Sequence, residues 1–189
     1  MASPATNAKV RLGKGLVWRL TDDGQPIYDR RLSVAEVQAR IDSCWQPYHA
    51  ALADAVAAAH ARHGFCIHLN CHSMPAVAAS HATEFPGSAH PDFVIGDRDG
   101  TSASPALSLR IVEWLRAQDF DVAYNHPYKG VEIVRRHGDP AHRRHSIQLE
   151  INRGLYMDEQ TFALRQPGFD ELKAVLRGLV AMLTAAGPV

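Results

Sequence analysis

The stretch Cys66-Ile67-His68-Leu69-Asn70-Cys71-His72-Ser73-Met74-Pro75 decides how this chain reads. Residues Phe65–Asn70 are short, largely apolar and bounded by Gly64, the pattern of a buried parallel strand. The run ends in His72 and Ser73, and Pro75 removes the backbone donor that a continuing strand needs. An α/β protein displays reactive side chains in this way, at the carboxyl edge of its sheet, where ligands bind. A neutral imidazole on so rigid a support is a ready metal ligand or proton carrier.

Upstream of that stretch, residues 1–15 read as a loose arm. Trp18 to Tyr28 read as two short extended pieces around the turn dipeptide Asp23-Gly24. Ser33-Val34-Ala35-Glu36 is a capping box that opens a helix. Its apolar face runs Val37, Ile41, Trp45, Tyr48, Leu52 and Val56, and Pro47 inside the pattern predicts a kink or two abutting helices. Gly64 is the natural stop, with His60 and His63 near the helix end, where cations suit the dipole.

Downstream, residues 75–91 read as a long loop of the kind that is often functional. Asp92–Gly96 is a second strand, and Ser104-Pro105 opens a helix to about Ala117. Phe120–Tyr124 is a third strand, and Val131–Arg135, which alternates weakly, reads as a fourth, more exposed strand or a hairpin arm. Ser146–Asn152 is a further strand, with Gln148 and Glu150 on one face and Ile147, Leu149 and Ile151 on the other. The last helix runs from near Gly168 to about Ala185 on a stripe of Leu172, Val175, Leu176, Leu179, Val180 and Leu183. Strands alternating with helices predict one α/β domain over residues 1–189, with a mixed, mostly parallel sheet flanked by helices.

Composition narrows the function. The chain has 189 residues, 46% of them hydrophobic, enough for one core. Lys plus Arg and Asp plus Glu both number 20, so nothing points to nucleic acid or to a polybasic membrane surface. No apolar run approaches the roughly 20 residues that span a bilayer. The first residues have no secretory character, and three cysteines with no metal-binding spacing suit reduced thiols in a cytoplasm. Cys66 and Cys71 read as small core fillers.

Three strand ends carry the polar groups: Asn70, His72 and Ser73; Asn125-His126-Pro127-Tyr128-Lys129-Gly130; and Gln148-Leu149-Glu150-Ile151-Asn152-Arg153. In an open α/β sheet these can meet in one crevice. Glu150, a carboxylate within an apolar strand, reads either as half of a salt bridge or as a general base tuned by partial burial. His72 reads as a hydrogen-bonded core histidine or as a ligand, and Ser73 lacks the glycines of a nucleophile elbow. Asn125 sets an amide at a strand end, and Gly130 admits a close backbone approach. Arg135-Arg136-His137 and His142-Arg143-Arg144-His145 are basic runs; one arginine directed inward would clamp a carboxylate.

The segments Trp45-Gln46-Pro47-Tyr48-His49, Cys71-His72-Ser73-Met74-Pro75 and Ile95-Gly96-Asp97-Arg98-Asp99-Gly100-Thr101 resemble the N-formylglutamate amidohydrolase family. So do the Asn125–Gly130 and Gln148–Arg153 segments and Leu155-Tyr156-Met157-Asp158-Glu159, in order, from about Gly13 to the C-terminal helix. The resemblance implies a fold like that of the zinc carboxypeptidases and aspartoacylase. It implies a zinc-dependent hydrolase that cleaves an N-acyl amino acid such as N-formylglutamate, in amino-acid degradation. His72 then matches a zinc-binding histidine at the end of a central strand. Glu150 matches the carboxylate that handles the proton of the zinc-bound water, and Asn125 and Arg135 match substrate contacts. The family's other zinc ligands lie upstream of the matched region, so the resemblance implies an N-terminally shortened member with an incomplete Zn2+ site. An unpaired strand edge in such a chain invites a homo-oligomer.

Overall fold

The computed structural model of the chain describes residues 10, 13, 15–21, 24–78, 86–185 and 187. The expected arm falls largely outside these, as does Asp23 of the expected turn. The chain divides into two compact units, Met1–Ala51 and Leu52–Val189.

In the first unit Leu20 and Pro26 form an antiparallel bridge, so the two extended pieces pair as expected. Helix α1 (Val34–Arg40) starts on the capping box: the Ser33 hydroxyl accepts from the Glu36 amide, and the Glu36 carboxylate accepts from the Ser33 amide. A π-helical turn (Ile41–Trp45) follows, then α2 (Gln46–His63). The wide turn is the local answer to Pro47, which has no N–H and whose ring would crowd the carbonyl four residues back. One extra residue in the turn shifts the buried stripe. His49 is buried and packs tilted against Trp45 at 4.4 Å between ring centroids, while Tyr48, expected on that face, is exposed.

The second unit is built on a four-stranded sheet. Its strands are β1 (Cys66–Met74), β2 (Phe93–Gly96), β3 (Val122–Tyr124) and β4 (Arg144–Asn152), in the order β1-β4-β2-β3. β1 runs parallel to β4 and β2 parallel to β3, while β2 and β4 are antiparallel. The sheet is therefore mixed and mostly parallel, as expected. Helices α3 (Pro105–Arg116) and α5 (Gly168–Ala185) supply Leu107, Ile111, Leu115, Leu172, Leu179 and Leu183 to the core, against Phe93, Ile95, Ile147, Leu149 and Ile151 of the sheet. Each of these buried side chains contributes roughly 1.5–3 kcal/mol of apolar transfer.

Alternation along β4 then forces Ser146, Gln148, Glu150 and Asn152 to the opposite face, where register places His68, Asn70, His72 and Met74 of β1 beside them. Backbone passes close over this face. A side chain at Gly96 would meet the Lys129 carbonyl carbon at 2.6 Å, so only glycine lets the 129–130 segment cross there.

Five expectations change. β1 is an edge strand rather than a central buried one, and most of its residues are half-buried or exposed. It also continues through His72 to Met74, so the reactive positions lie within the strand. Val131–Arg135 is not a strand: helix α4 (Glu132–His137) occupies it. Gly130, at φ +87°, turns the chain, and Glu132 in the first turn pairs with Arg135 while basic residues fill the last turn, all of which favour helix. Val180 is 51% exposed although its neighbours on the stripe are covered. Finally, Cys66 is a buried filler, but Cys71 is exposed.

Candidate active site

The in-register pairing of β1 with β4 sets His72 opposite Glu150. His72 Nδ1 stands 3.7 Å from Glu150 Oε1. The His72 side chain is 42% exposed and that of Glu150 9%, so the imidazole faces solvent and the carboxylate lies beneath it. Gln148, two residues earlier on the same face of β4, donates its Nε2 to Glu150 Oε1 at 2.8 Å. A buried carboxylate is expensive unless it is hydrogen-bonded, and this amide answers that cost.

The strand ends around the pair are tied down. His90 Nδ1 lies 2.7 Å from the Pro75 carbonyl. Asn152 Nδ2 donates to the His90 and Pro91 carbonyls. Glu159 accepts from the Ala76 amide at 2.8 Å and pairs with Arg153 at 3.2 Å. The segments leaving β1 and β4 are thus held to each other and to the approach to β2. His72 sits on a braced strand.

The remaining expected site residues lie elsewhere. β2 is antiparallel to β4, so the carboxyl ends of β2 and β3 point away from those of β1 and β4. The three polar strand ends consequently do not meet at one edge. Asn125 follows β3 and is committed to Asp97: its Nδ2 donates to Asp97 Oδ1 at 2.8 Å, and its Oδ1 accepts from the Asp97 amide at 3.0 Å. Arg135 is exposed on α4 and forms a forked pair with Glu132. Gly130 packs against protein rather than opening to a ligand, since a Cβ there would lie 2.5 Å from Val134 Cγ2.

Two features went unread in the sequence. The first is Gln148 as the partner of Glu150, which the i, i+2 spacing on one strand face signals directly. The second is Asp97, fully buried after β2. Burial pushes its carboxyl up, but donation from Tyr124, Asn125 and the Gly100 amide outweighs this and holds it below the usual range. The same contact, after burial, raises the Tyr124 phenol. His68, on the face of His72 but further down β1, lies 2.8 Å from the Ser146 hydroxyl. Burial and the nearby His137 keep its imidazole below the usual histidine range.

The donor set does not by itself fit a catalytic zinc, which takes three protein ligands and one open position. Among the described residues no group of three or more His, Cys, Asp and Glu side chains comes together to hold a metal ion. His72 and Glu150 are a pair.

A mixed α/β sheet flanked by helices, with a buried carboxylate and a half-exposed imidazole on its polar face, defines an α/β domain with a candidate polar site. The sequence model described as N-formylglutamate amidohydrolase matches residues 2–157. The chain is 32% identical over 169 residues to the N-formylglutamate deformylase of Pseudomonas aeruginosa, covering 87% of this chain and 62% of that protein. It is 28% identical, over the same shares, to the N-formylglutamate deformylase of Pseudomonas putida. The crystal structure of N-formylglutamate amidohydrolase from Ralstonia eutropha JMP134 superposes with a TM-score of 0.87 at 44% identity, over 96% of this chain and 64% of that one. The chain belongs to the N-formylglutamate amidohydrolase family, and it spans somewhat under two thirds of the length of these relatives.

Proposed function

We propose that this chain serves in the hydrolysis of the amide bond of an N-acyl amino acid, N-formylglutamate being the substrate its relatives' names indicate. The observation that carries the reading is the His72–Glu150 pair, set in register on two parallel strands of a family member. Amide hydrolysis needs a base that takes a proton from water and returns it to the departing amine nitrogen. Glu150 suits that role: it is buried, oriented by Gln148 and within reach of a solvent-facing imidazole. The products are the carboxylic acid, formate in the formyl case, and the free amino acid.

His72 is the side chain we assign to a metal ion, zinc by resemblance. The described residues do not complete a ligand set for that ion. That incompleteness favours a second reading, a module that binds the substrate without turning it over. The chain's free cysteines, Cys44, Cys66 and Cys71, suit a reducing cytoplasm. No helix among the described residues is long and apolar enough to cross a membrane.

Formate release from N-formyl-L-glutamate separates the two readings. A hydrolase shows release that Glu150→Gln abolishes while zinc content stays unchanged. A binding module retains substrate and releases nothing, with His72→Ala indistinguishable from the parent in metal content.

A further inference from the structure

We propose that a cavity at the amino end of β4 binds a small aliphatic carboxylate, at a site separate from the His72–Glu150 pair. Its volume is about 620 Å³, within the range of small-molecule sites. All of its lining residues belong to the second unit. Arg144 lines the cavity and opens β4. Glu150 stands further along the same strand, roughly 20 Å away at about 3.3 Å per residue. The proposal rests on this cavity and not on the proposed hydrolysis.

Two kinds of wall meet here. One is apolar: Ala53, Val56 and Ala57 share a face of α2, and Pro140 and Ala141 join them in the lining. The other is cationic. Arg136, from the last turn of α4, and Arg144 set two guanidiniums against a single lining carboxylate, Asp139. That carboxylate is already engaged by Arg144 Nη2 and by His142 Nδ1 at 2.9 Å. The Arg144 side chain has five N–H donors and, among the described residues, one acceptor, and its Nε is buried without a partner. A buried donor left unmet is costly, and a carboxylate accepting along the edge of a guanidinium answers that cost. Charge therefore selects an anion. The apolar wall selects an anion with a hydrocarbon body over a bare inorganic ion, because covering that wall removes apolar surface from water. The turn that carries Asp139 is fixed before any ligand arrives. Asp139 is bridged to Arg144 through the backbone, and a Cβ on Gly138 would lie 2.4 Å from the Ser102 carbonyl oxygen. His137, buried, is the imidazole of the lining.

The test titrates the full chain with hexanoate and reads amide and imidazole resonances by NMR. Hexanol and inorganic phosphate are titrated in parallel. The expected result is saturable hexanoate binding that shifts the His137 imidazole and the amides of α2 and of residues 136–141, and leaves the His72 imidazole in place. Hexanol, which lacks the charge, and phosphate, which lacks the hydrocarbon, should each bind at least tenfold more weakly. Arg144→Gln should weaken hexanoate at least tenfold. Because Arg144 also holds Asp139, a second variant leaves that contact alone: Ala57→Glu, exposed on α2, sets a carboxylate at the apolar wall and should abolish binding with the melting temperature unchanged. The proposal is overturned by the absence of saturable binding, by hexanol or phosphate binding as tightly as hexanoate, by shifts at His72 in place of His137, or by full binding in Ala57→Glu.

Discussion

Replacing Asn125 decides whether its amide is a scaffold group or a substrate contact. Asn125→Ala removes the donor to Asp97 Oδ1 at 2.8 Å and the acceptor for the Asp97 amide at 3.0 Å. A hydrogen bond to a charged group is worth about 1.5–3 kcal/mol, and a stranded buried donor costs about 1–3 kcal/mol. Asn125 also sits at φ +56°, where alanine bears a left-handed penalty of about 1–2 kcal/mol and glycine essentially none. Some of these losses overlap, because Asp97 keeps Tyr124 and Gly100 as donors. The expected cost is about 3–5 kcal/mol for Asn125→Ala and about 1 kcal/mol less for Asn125→Gly. Asn125→Asp sets two carboxylates against each other and should recover stability as pH falls and one of them protonates. Urea unfolding at pH 7 reads all three. If Asn125→Ala costs less than about 1 kcal/mol and chiefly raises KM for an N-acyl amino acid, the scaffold assignment is refuted.

Three further outcomes follow from particular contacts. Gly130→Ala must move Val134, whose Cγ2 would lie 2.5 Å from the new methyl group at a φ of +87°; a loss of about 2–4 kcal/mol in urea unfolding is expected, and a neutral result would reject the close packing. His145 is buried, which lowers its imidazole, and its Nδ1 accepts from the Ser104 amide at 3.1 Å. Because the folded pKa is the lower one, this contribution is complete above the unfolded value near ~6.5 and is lost as pH falls through the folded one; His145→Gln should flatten the dependence of unfolding free energy on pH between about 7 and 5. Glu159→Ala frees the Ala76 amide and Arg153 and should cost about 1–2 kcal/mol, with faster hydrogen exchange confined to the segments after β1 and β4.

Much of the frame was legible because it rests on local chemistry. The capping box at Ser33, the stop at Gly64, Pro105 opening α3 and the span of α5 are all one-turn decisions written in neighbouring residues. Alternation on β4 announced its polar and apolar faces. What eluded the sequence depended on partners distant in the chain. β1 has the composition of a buried strand, but strand order is set by pairing, and the order leaves it at the edge. The antiparallel joint between β2 and β4 cannot be seen in either strand alone, and it sends Asn125 away from His72. Val131–Arg135 shows weak alternation, and Gly130 with the Glu132–Arg135 pair overrode it. The His72–Glu150 pairing came from resemblance first; register then gave it a physical basis.

The central claim is that Glu150, beside His72, serves amide hydrolysis. Its most direct test is formate release from N-formyl-L-glutamate by the chain, with zinc supplied. The account predicts release that Glu150→Gln lowers at least ~100-fold, as loss of a proton-transferring side chain does, with unfolding free energy nearly unchanged. Formate release that is equal in the parent and in Glu150→Gln, or absent from the parent, would contradict it.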